Sequence, residues 1–556
     1  MSTRERLYGR EMTVRVYNSL TREKEELVPL RPGKLGVYVC GVTVYDLCHV
    51  GHARVYTVFD TIVRWLRRDH QVTYVRNFTD VDDKIIRRAN ERGEDPIALA
   101  SRFADEFHVD MGRLGVGPAD VEPRVSTHMA EIVDFVSELE SKGFAYRVPS
   151  SSSVEGAGND VYFRVKQMPA GRYLQLSGRH LEDLQAGARV AVDERKEDPM
   201  DFALWKSAKP DEPSWASPFG QGRPGWHIEC SAMAKKHLGV TFDLHGGGKD
   251  LIFPHHTNEI AQSECAHGEV MAKTWVHNGF INFNDEKMAK SVGNFFTIRE
   301  LWPYCTGEAL RFFLLATHYR GDVNFDVETS CPHCQAPLSP AEQSALSCTS
   351  CAAAMTTEEL RSRVRFPNLE EAERRVQYLY QTVQRIEQVL LTTTSEDGPS
   401  LEFAFSKPGM PFTPWADFEA GLNDDFNTPR GIAALNEVLK VANLLVAGRE
   451  KELIGNKLKP GVRALLLSEC LRLVRDMGKV LGLGEAEASP FLLEQRALRL
   501  KAKGISQDVV EALLAERTTK KAEKDFAAAD AVRARLVEMG IEVMDVAGGG
   551  VAWSVV

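Results

Sequence analysis

Long apolar runs are missing from this chain: nowhere in its 556 residues do consecutive apolar positions approach the ~20 needed to cross a bilayer. The first ten residues, Met1 to Arg10, are polar and charged and do not read as a secretory leader. Positive charge is in short supply too. Lys and Arg total 68 against 78 Asp and Glu, a formal charge of −10, which excludes polyanion binding through average charge and leaves that task to local basic clusters. Cysteine, by contrast, occurs ten times. In a chain without a leader this argues for metal ligation and free thiols in a reducing cytoplasm rather than for disulfides. With 43% hydrophobic residues, a chain of this length can build several ordinary globular cores.

Four positions carry donor atoms suited to a soft metal. His255 and Glu259, within Phe253-Pro254-His255-His256-Thr257-Asn258-Glu259, are four apart and so share one face of a helix, able to close on one ion. Thiolates must then come from elsewhere. Cys40 ends the apolar run Val37-Tyr38-Val39, which reads as a buried strand, and Cys230 follows Gly225-Trp226-His227-Ile228-Glu229 at the start of another helix. Spacing alone does not join these parts. Each cysteine taken singly reads first as a small buried apolar residue, and the two histidines fit a core or a surface as well.

A second motif, His49-Val50-Gly51-His52, follows a strand and a turn through Thr43 to Asp46 and opens an amphipathic helix expected from about Ala53 to Arg68. The amides and positive dipole end of a helix favour anions, Gly51 admits a ligand close to the backbone, and two imidazoles can donate to phosphate oxygens. An ordinary helix start is the alternative. The third motif, Lys287-Met288-Ala289-Lys290-Ser291, sets two ammonium groups on a short loop. That suits a polyphosphate whose charge rises during transfer, or simply a solvated surface.

In their order, these segments resemble the cysteinyl-tRNA synthetase family, a class I aminoacyl-tRNA synthetase family, over most of the chain. The resemblance rests on Tyr38-Val39-Cys40-Gly41-Val42-Thr43-Val44-Tyr45-Asp46, on Asn77-Phe78-Thr79-Asp80-Val81-Asp82-Asp83-Lys84-Ile85-Ile86, on Asp201-Phe202-Ala203-Leu204-Trp205-Lys206, on Gly222 through Met233, on His245-Gly246-Gly247-Gly248, and on the histidine pair with Glu259. It puts His49 and His52 at the family's HIGH signature and Lys287 to Ser291 at its KMSKS loop. Two departures are visible. Val42 stands where the family has a turn-fixing proline, and Ala289 replaces the central serine of the loop, a loss of one hydrogen bond worth about 1 kcal/mol.

The resemblance implies ATP-dependent activation of L-cysteine to cysteinyl-adenylate, then transfer to the terminal adenosine of tRNA(Cys). It implies His49, His52, Lys287 and Lys290 as catalytic groups, with Gly51, His52 and Lys290 at ATP and Thr79, Trp226 and His245 around the amino acid. Cys40, Cys230, His255 and Glu259 become zinc ligands that receive the substrate thiol, and magnesium is expected with ATP. Zinc answers a selectivity problem that shape cannot, because serine differs from cysteine only in oxygen for sulfur. A site that rewards a ligating group rejects its analogue by roughly 10⁴-fold, and no segment resembles an editing domain. A cytoplasmic monomer is the family-level expectation. The rivals are a cysteine:aminosugar ligase of the same ancestry, which lacks a long C-terminal region, and an inactive paralogue, which loses phosphate-handling residues. Some members are credited with making cysteine persulfide with pyridoxal phosphate at lysines, for which Lys84 and the Lys287 loop are candidates.

Strand and helix signals alternate up to about Phe325, as in a parallel α/β sheet. The expected plan is a Rossmann-like catalytic domain over 1–325, split by an insertion at about 122–223 that includes the loop Ser150 to Ser153. A cysteine-rich insertion over 326–356, a helical tRNA-binding bundle over 357–490 and a C-terminal anticodon-binding module over 491–556 follow. Asp82 opens a helix that Gly93 ends. Helical spacing over Glu370–Leu391, Pro429–Leu445 and Gly461–Leu481 predicts the bundle. Cys331-Pro332-His333-Cys334 and Cys348-Thr349-Ser350-Cys351 depart from the family pattern. Paired knuckles of this kind signal a closed structural zinc site, bracing the junction or touching the tRNA acceptor stem, with free or redox-active thiols as the alternative. Arg496, Arg499, Lys501, Lys503, Arg517, Lys520, Lys521 and Lys524 concentrate basic charge near the C-terminus, as an RNA-binding surface or a solvated helix face. Phe526 and Trp553 read as core residues or as platforms for anticodon bases.

Overall fold

The computed structural model describes residues 13–169, 171–179, 195–288, 296–361, 363–407, 411–546 and 550–555. The chain divides into two compact units, Met1–Ile298 with Leu314–Asn324 and Trp415–Ala434, and Arg299–Phe313 with Phe325–Pro414 and Leu435–Val556.

A parallel sheet frames the first unit. Strands β1 (Lys34–Thr43), β2 (Gln71–Thr79), β3 (Phe242–Gly248) and β4 (Ala272–Asn278) lie in the order β4-β3-β1-β2. Val37, Tyr38 and Val39 are completely buried, which explains why β1 reads as a continuous apolar run instead of an alternating one. Helices α1 (Val50–Leu66), α2 (Trp226–Leu238) and α3 (Thr257–His267) supply the cover. Because β2 lies on one side of β1 and β3 on the other, the strand order reverses at β1, and a crevice opens at the C-terminal ends of β1 and β3. Between β2 and α2 the chain builds a separate antiparallel sheet from Ala145–Pro149, Asn159–Phe163, Phe202–Ser207 and Gly222–Pro224.

Local chemistry sets the ends of these elements. α1 begins at Val50, three residues before the expected Ala53, because two imidazoles cap it. His49 Nδ1 accepts from Gly51 N at 3.1 Å and His52 Nδ1 accepts from His49 N at 3.3 Å, a capping box made of histidines. Asp82 caps the helix Asp83–Arg92 and Gly93, at φ 65°, closes it, as read from the sequence. Val42 is a strand residue paired with Phe78, not part of a turn.

The second unit holds the helices α4 (Pro367–Thr392) and α5 (Pro460–Leu481), which extend the predicted stretches by up to three residues at an end. The helix Thr428–Val446, whose residues to Ala434 belong to the first unit, extends its predicted stretch by one residue at each end. In α4, Leu369, Ala372, Val376, Leu379, Tyr380, Val383 and Ile386 are buried at helical spacing. Helices α6 (Ala488–Ala502), α7 (Gln507–Ala522) and α8 (Phe526–Glu538) and the hairpin β5 (Ile541–Val546) and β6 (Gly550–Val555) end the chain around a small core that includes Leu500, Val510, Leu536 and Trp553.

The register of β1 against β2 shifts between Val39 and Val42, and a Cβ on Gly41 would stand 1.4 Å from the Asn77 carbonyl oxygen. Asn77 Oδ1 in turn accepts from Gly41 N at 2.8 Å. Replacing Gly41 with Ala must push the two strands apart, and the expected cost is about 3 kcal/mol. Urea denaturation of the purified variant measures it; an unchanged midpoint would show that the bulge yields freely.

Candidate metal centre and nucleotide site

Four elements deliver donor atoms to the crevice. β1 brings Cys40, α2 brings Cys230, α3 brings Glu259, and the turn Ile252–His256 ahead of α3, kinked at an extended Phe253, brings His255. His255 therefore precedes the regular helix, yet its four-residue offset still sets His255 Nε2 2.7 Å from Glu259 Oε1. The Cys40 and Cys230 sulfurs are 3.8 Å apart, and Cys40 Sγ is 3.4 Å from Glu259 Oε1. All four side chains are buried, with ligand atoms within 4.8 Å of one another.

This donor set fits zinc. Two thiolates 2.3 Å from one tetrahedral ion are about 3.8 Å apart, the separation found here. Cys40, His245, His256 and Glu259 meet the same 4.8 Å limit. In that second set, however, His245 Nε2 already donates to Glu259 Oε2 at 2.6 Å, and His256 Nδ1 shares a proton with His277 Nε2 at 2.8 Å. Only the first set brings two thiols.

Electrostatics give the same answer. Burial opposes charge on Glu259, but His245 and His255 outweigh it and hold the carboxyl well below the usual range. A bond from the Cys40 thiol and the nearby His255 bring Cys230 down to about 6, although burial works against them. Burial pushes Cys40 well up, and the neighbouring Cys230 and Glu259 push it the same way. Burial likewise keeps His227, His256 and His277 neutral, His277 at about 3. His255 is the exception: burial opposes its charge, yet Glu259 and Cys230 lift it to about 10. Two groups in a closed space keep negative charge, and a proton on His255 stands where a cation would.

Around this centre, Trp226 is 37% exposed and stacks on His255 with ring centroids 4.5 Å apart, so it is not a core residue. Thr79, at the end of β2, donates to Glu229 at 3.2 Å. His245 stacks on Trp275, and its Nδ1 is buried with no protein partner among the described residues. The sequence reading gave His227 and His277 no role and left His256 as a core or surface histidine. They recur with no period, and the His255-His256 doublet was the only local signal.

The His49-Val50-Gly51-His52 motif lies at the start of α1. In His49 and His52 the Nδ1 atoms accept backbone bonds, so each neutral ring carries its proton on Nε2 and can donate there; the rings stack at 3.7 Å. A Cβ on Gly51 would stand 2.8 Å from the His49 ring and 3.5 Å from Met288 Cε. Residues on both flanks of the lysine loop thus approach this helix end, since Val50 N also donates to Phe296 O at 3.2 Å and His49 bridges Thr297. The Lys287 ammonium lies 3.9 Å over the Phe280 ring. Ala289, Lys290 and Ser291 lie outside the described residues.

In the second unit, Cys331, Cys334, Cys348 and Cys351 also gather within 4.8 Å of one another.

The family described as tRNA synthetases class I (C) catalytic domain matches residues 26–332, and the DALR domain matches residues 417–485. A cysteine–tRNA ligase of Anaeromyxobacter dehalogenans (strain 2CP-1) is 47% identical over 550 residues, covering 98% of this chain and all of that one. The cysteine–tRNA ligase of Geobacter metallireducens is 42% identical over 545 residues at the same coverage. Among solved structures, the methionyl-tRNA synthetase of Mycobacterium tuberculosis in complex with methionyl-adenylate is similar in fold, with a TM-score of 0.54 at 16% identity, over 85% of this chain and 94% of that one.

The basic residues near the C-terminus divide by role. Arg517 is 2% exposed and forks onto Asp545 at 2.8 and 2.9 Å, and Lys521 reaches the same carboxylate at 2.6 Å. Arg499 donates to Val555 O, while Arg496 bonds Trp553 O and lies over its ring at 4.1 Å. Lys501, Lys503 and Lys524 are exposed. Trp553 packs in the core, whereas Phe526 is 62% exposed. Arg517→Ala is therefore expected to cost about 2 kcal/mol of stability, and Lys501→Ala within about 0.5 kcal/mol of nothing. Hydrogen exchange across α7 and α8 reads both; equal protection in the two variants would assign Arg517 to the surface set.

Proposed function

The chain belongs to the cysteine–tRNA ligases of class I, and from that premise we propose how its residues divide the reaction. Its activity is that of the family, ATP-dependent joining of L-cysteine to tRNA(Cys). A cysteine:aminosugar ligase is not favoured, because the relatives match over 98% of the chain and a DALR domain occupies 417–485.

Cys40, Cys230, His255 and Glu259 are the ligands of a substrate-site zinc, and the enclosed pair of sulfurs at 3.8 Å is the observation that carries this. These residues would hold a zinc ion whose softness would favour the thiolate of cysteine over the hydroxyl of serine. Trp226 walls the pocket over His255, with Thr79 beside it. The unpartnered Nδ1 of His245 is an acceptor, since its Nε2 proton goes to Glu259, and an acceptor suits the substrate ammonium.

His49 and His52 donate through Nε2 to the α-phosphate region as the cysteine carboxylate attacks. Gly51 keeps the helix end open to the nucleotide, which magnesium accompanies. Lys287 and Lys290 stabilise the departing pyrophosphate, whose negative charge grows in the transition state. No covalent enzyme intermediate is needed. The tRNA-binding half comprises the helical bundle and the terminal module, with Phe526 exposed to take a base. Cys331, Cys334, Cys348 and Cys351 hold a second, structural zinc. The setting is a cytoplasmic monomer, and no helix among the described residues is long and apolar enough to cross a membrane.

ATP–pyrophosphate exchange tests the assignment, run with cysteine and with serine, before and after zinc removal, alongside charging of tRNA(Cys). Exchange with cysteine should exceed that with serine by about 10⁴-fold, vanish with zinc and return on its readdition. Full cysteine exchange by zinc-free protein would overturn the substrate-site zinc. His52→Ala should lower kcat by about 100-fold and alter KM for cysteine little.

A further inference from the structure

Between the paired strands Glu328–Thr329 and Val364–Arg365, the second unit folds a segment whose interior is sulfur rather than hydrocarbon. It builds one turn twice. In the first, Cys331 N donates to Ala336 O at 2.8 Å, Gln335 takes φ 61°, and Ser330 bridges Pro337. In the second, Cys348 N donates to Ala353 O at 2.9 Å, Ala352 takes φ 56°, and Ser347 bridges Ala354. Left-handed backbone is unfavourable for side-chain-bearing residues, yet both turns adopt it one residue after their second cysteine. Amides also face the sulfurs. His333 N is 3.4 Å from Cys331 Sγ, and the Ala336 and Ala353 N–H groups point at Cys334 and Cys351 in equivalent positions.

The two turns face each other through their sulfurs. Cys331 and Cys351 are 3.7 Å apart and Cys334 and Cys348 3.6 Å. Those separations match the edge of about 3.8 Å in a zinc–tetrathiolate and are far beyond the about 2.05 Å of a disulfide. Apart from the buried cysteines, the core of the segment is Leu338 and Met355, with Leu360 partly covered. So few apolar side chains do not hold a segment of this length in one conformation.

We infer that the segment between Thr329 and Val364 is a folding unit that exists only in its metal-bound form, a zinc–tetrathiolate replacing a hydrophobic core. This rests on the second-zinc reading above and goes further, because it makes the ion the cause of local order. Four thiolates close the coordination sphere, leaving no position for a substrate. The cysteine turns themselves, Cys331 to Cys351, carry no lysine or arginine, and the cations of the unit, Arg361 and Arg363, stand beside its closing strand. Contact with the tRNA acceptor stem, one of the two roles read from the sequence, would have to be made there and not by the turns. What remains is to pin the two short strands that lead into α4.

The test uses the full chain and its Cys334→Ser/Cys351→Ser variant, which removes one exposed sulfur from each turn. Zinc per chain and hydrogen exchange are measured on both. Zinc should fall from two to one, and amides from Cys331 to Met355 should exchange about 100-fold faster, with β1 to β4 protected as before. A variant that holds one zinc and keeps this segment protected would overturn the inference while sparing the second-zinc reading. A parent that holds one zinc in total, with the segment protected, would overturn both. If the variant does not fold, cobalt replacement in the parent decides: four-sulfur charge-transfer absorption supports the unit, and absorption no stronger than a two-thiolate site gives refutes it.

Discussion

An ionised carboxylate shut away from solvent governs the first unit. Glu259 is completely buried and keeps its charge because His245 donates to one oxygen and His255 to the other, at 2.6 and 2.7 Å. Leaving such a charge uncompensated would cost several kcal/mol. Its compensation comes from His245 on β3 and His255 in the turn before α3, with the Cys40 thiol of β1 at 3.4 Å, so the strand order, the bulge at Gly41 and the kinked turn are all conditions for one electrostatic balance. A proton on His255, which Glu259 and Cys230 favour, adds to the balance.

What could be read in the sequence follows from how far each interaction reaches along the chain. His255 and Glu259 were legible because four residues bring them to one side of a turn. Cys40 and Cys230 meet only because β1 sits in the middle of the sheet, and nothing in 190 residues of separation signals that; it took the resemblance of ordered motifs to join them. The long helices were legible from period alone. The start of α1 was not, since histidine is not an ordinary capping residue and here two of them cap each other.

The acidic average misled in the opposite direction. Among the largest fully buried side chains are Arg54, Arg76, Arg223, Arg311 and Arg517, so part of the chain's scarce positive charge lies inside. Arg54 donates to the carbonyls of Leu314, at the end of the helix Gly307–Leu315, and of Thr317, His318 and Gly321 in the irregular stretch after it, so one guanidinium satisfies groups that no strand or helix pairs. Arg517 holds Asp545 across to the terminal hairpin. Runs of basic residues therefore map only in part onto the surface, because the partner that converts a cation such as Arg517 into a packing residue lies elsewhere along the chain.

The chain's two sulfur-bearing centres show how a donor set decides what a metal does. At the first, each non-sulfur ligand has another partner: Glu259 bonds His245, and His255 lies 3.0 Å from His227. Those ligands can shift their bonds while a substrate sulfur enters, at the cost of rearranging hydrogen bonds that remain made. At the second, the ligands are four thiols from one repeated turn, and no imidazole or carboxylate joins them in the cluster. An ion held there could not give up a ligand without opening its coordination sphere. A mixed, hydrogen-bonded set would admit a ligand and a uniform thiolate set would exclude one, so under the proposed assignment one kind of ion would select a substrate in one unit and hold a segment together in the other.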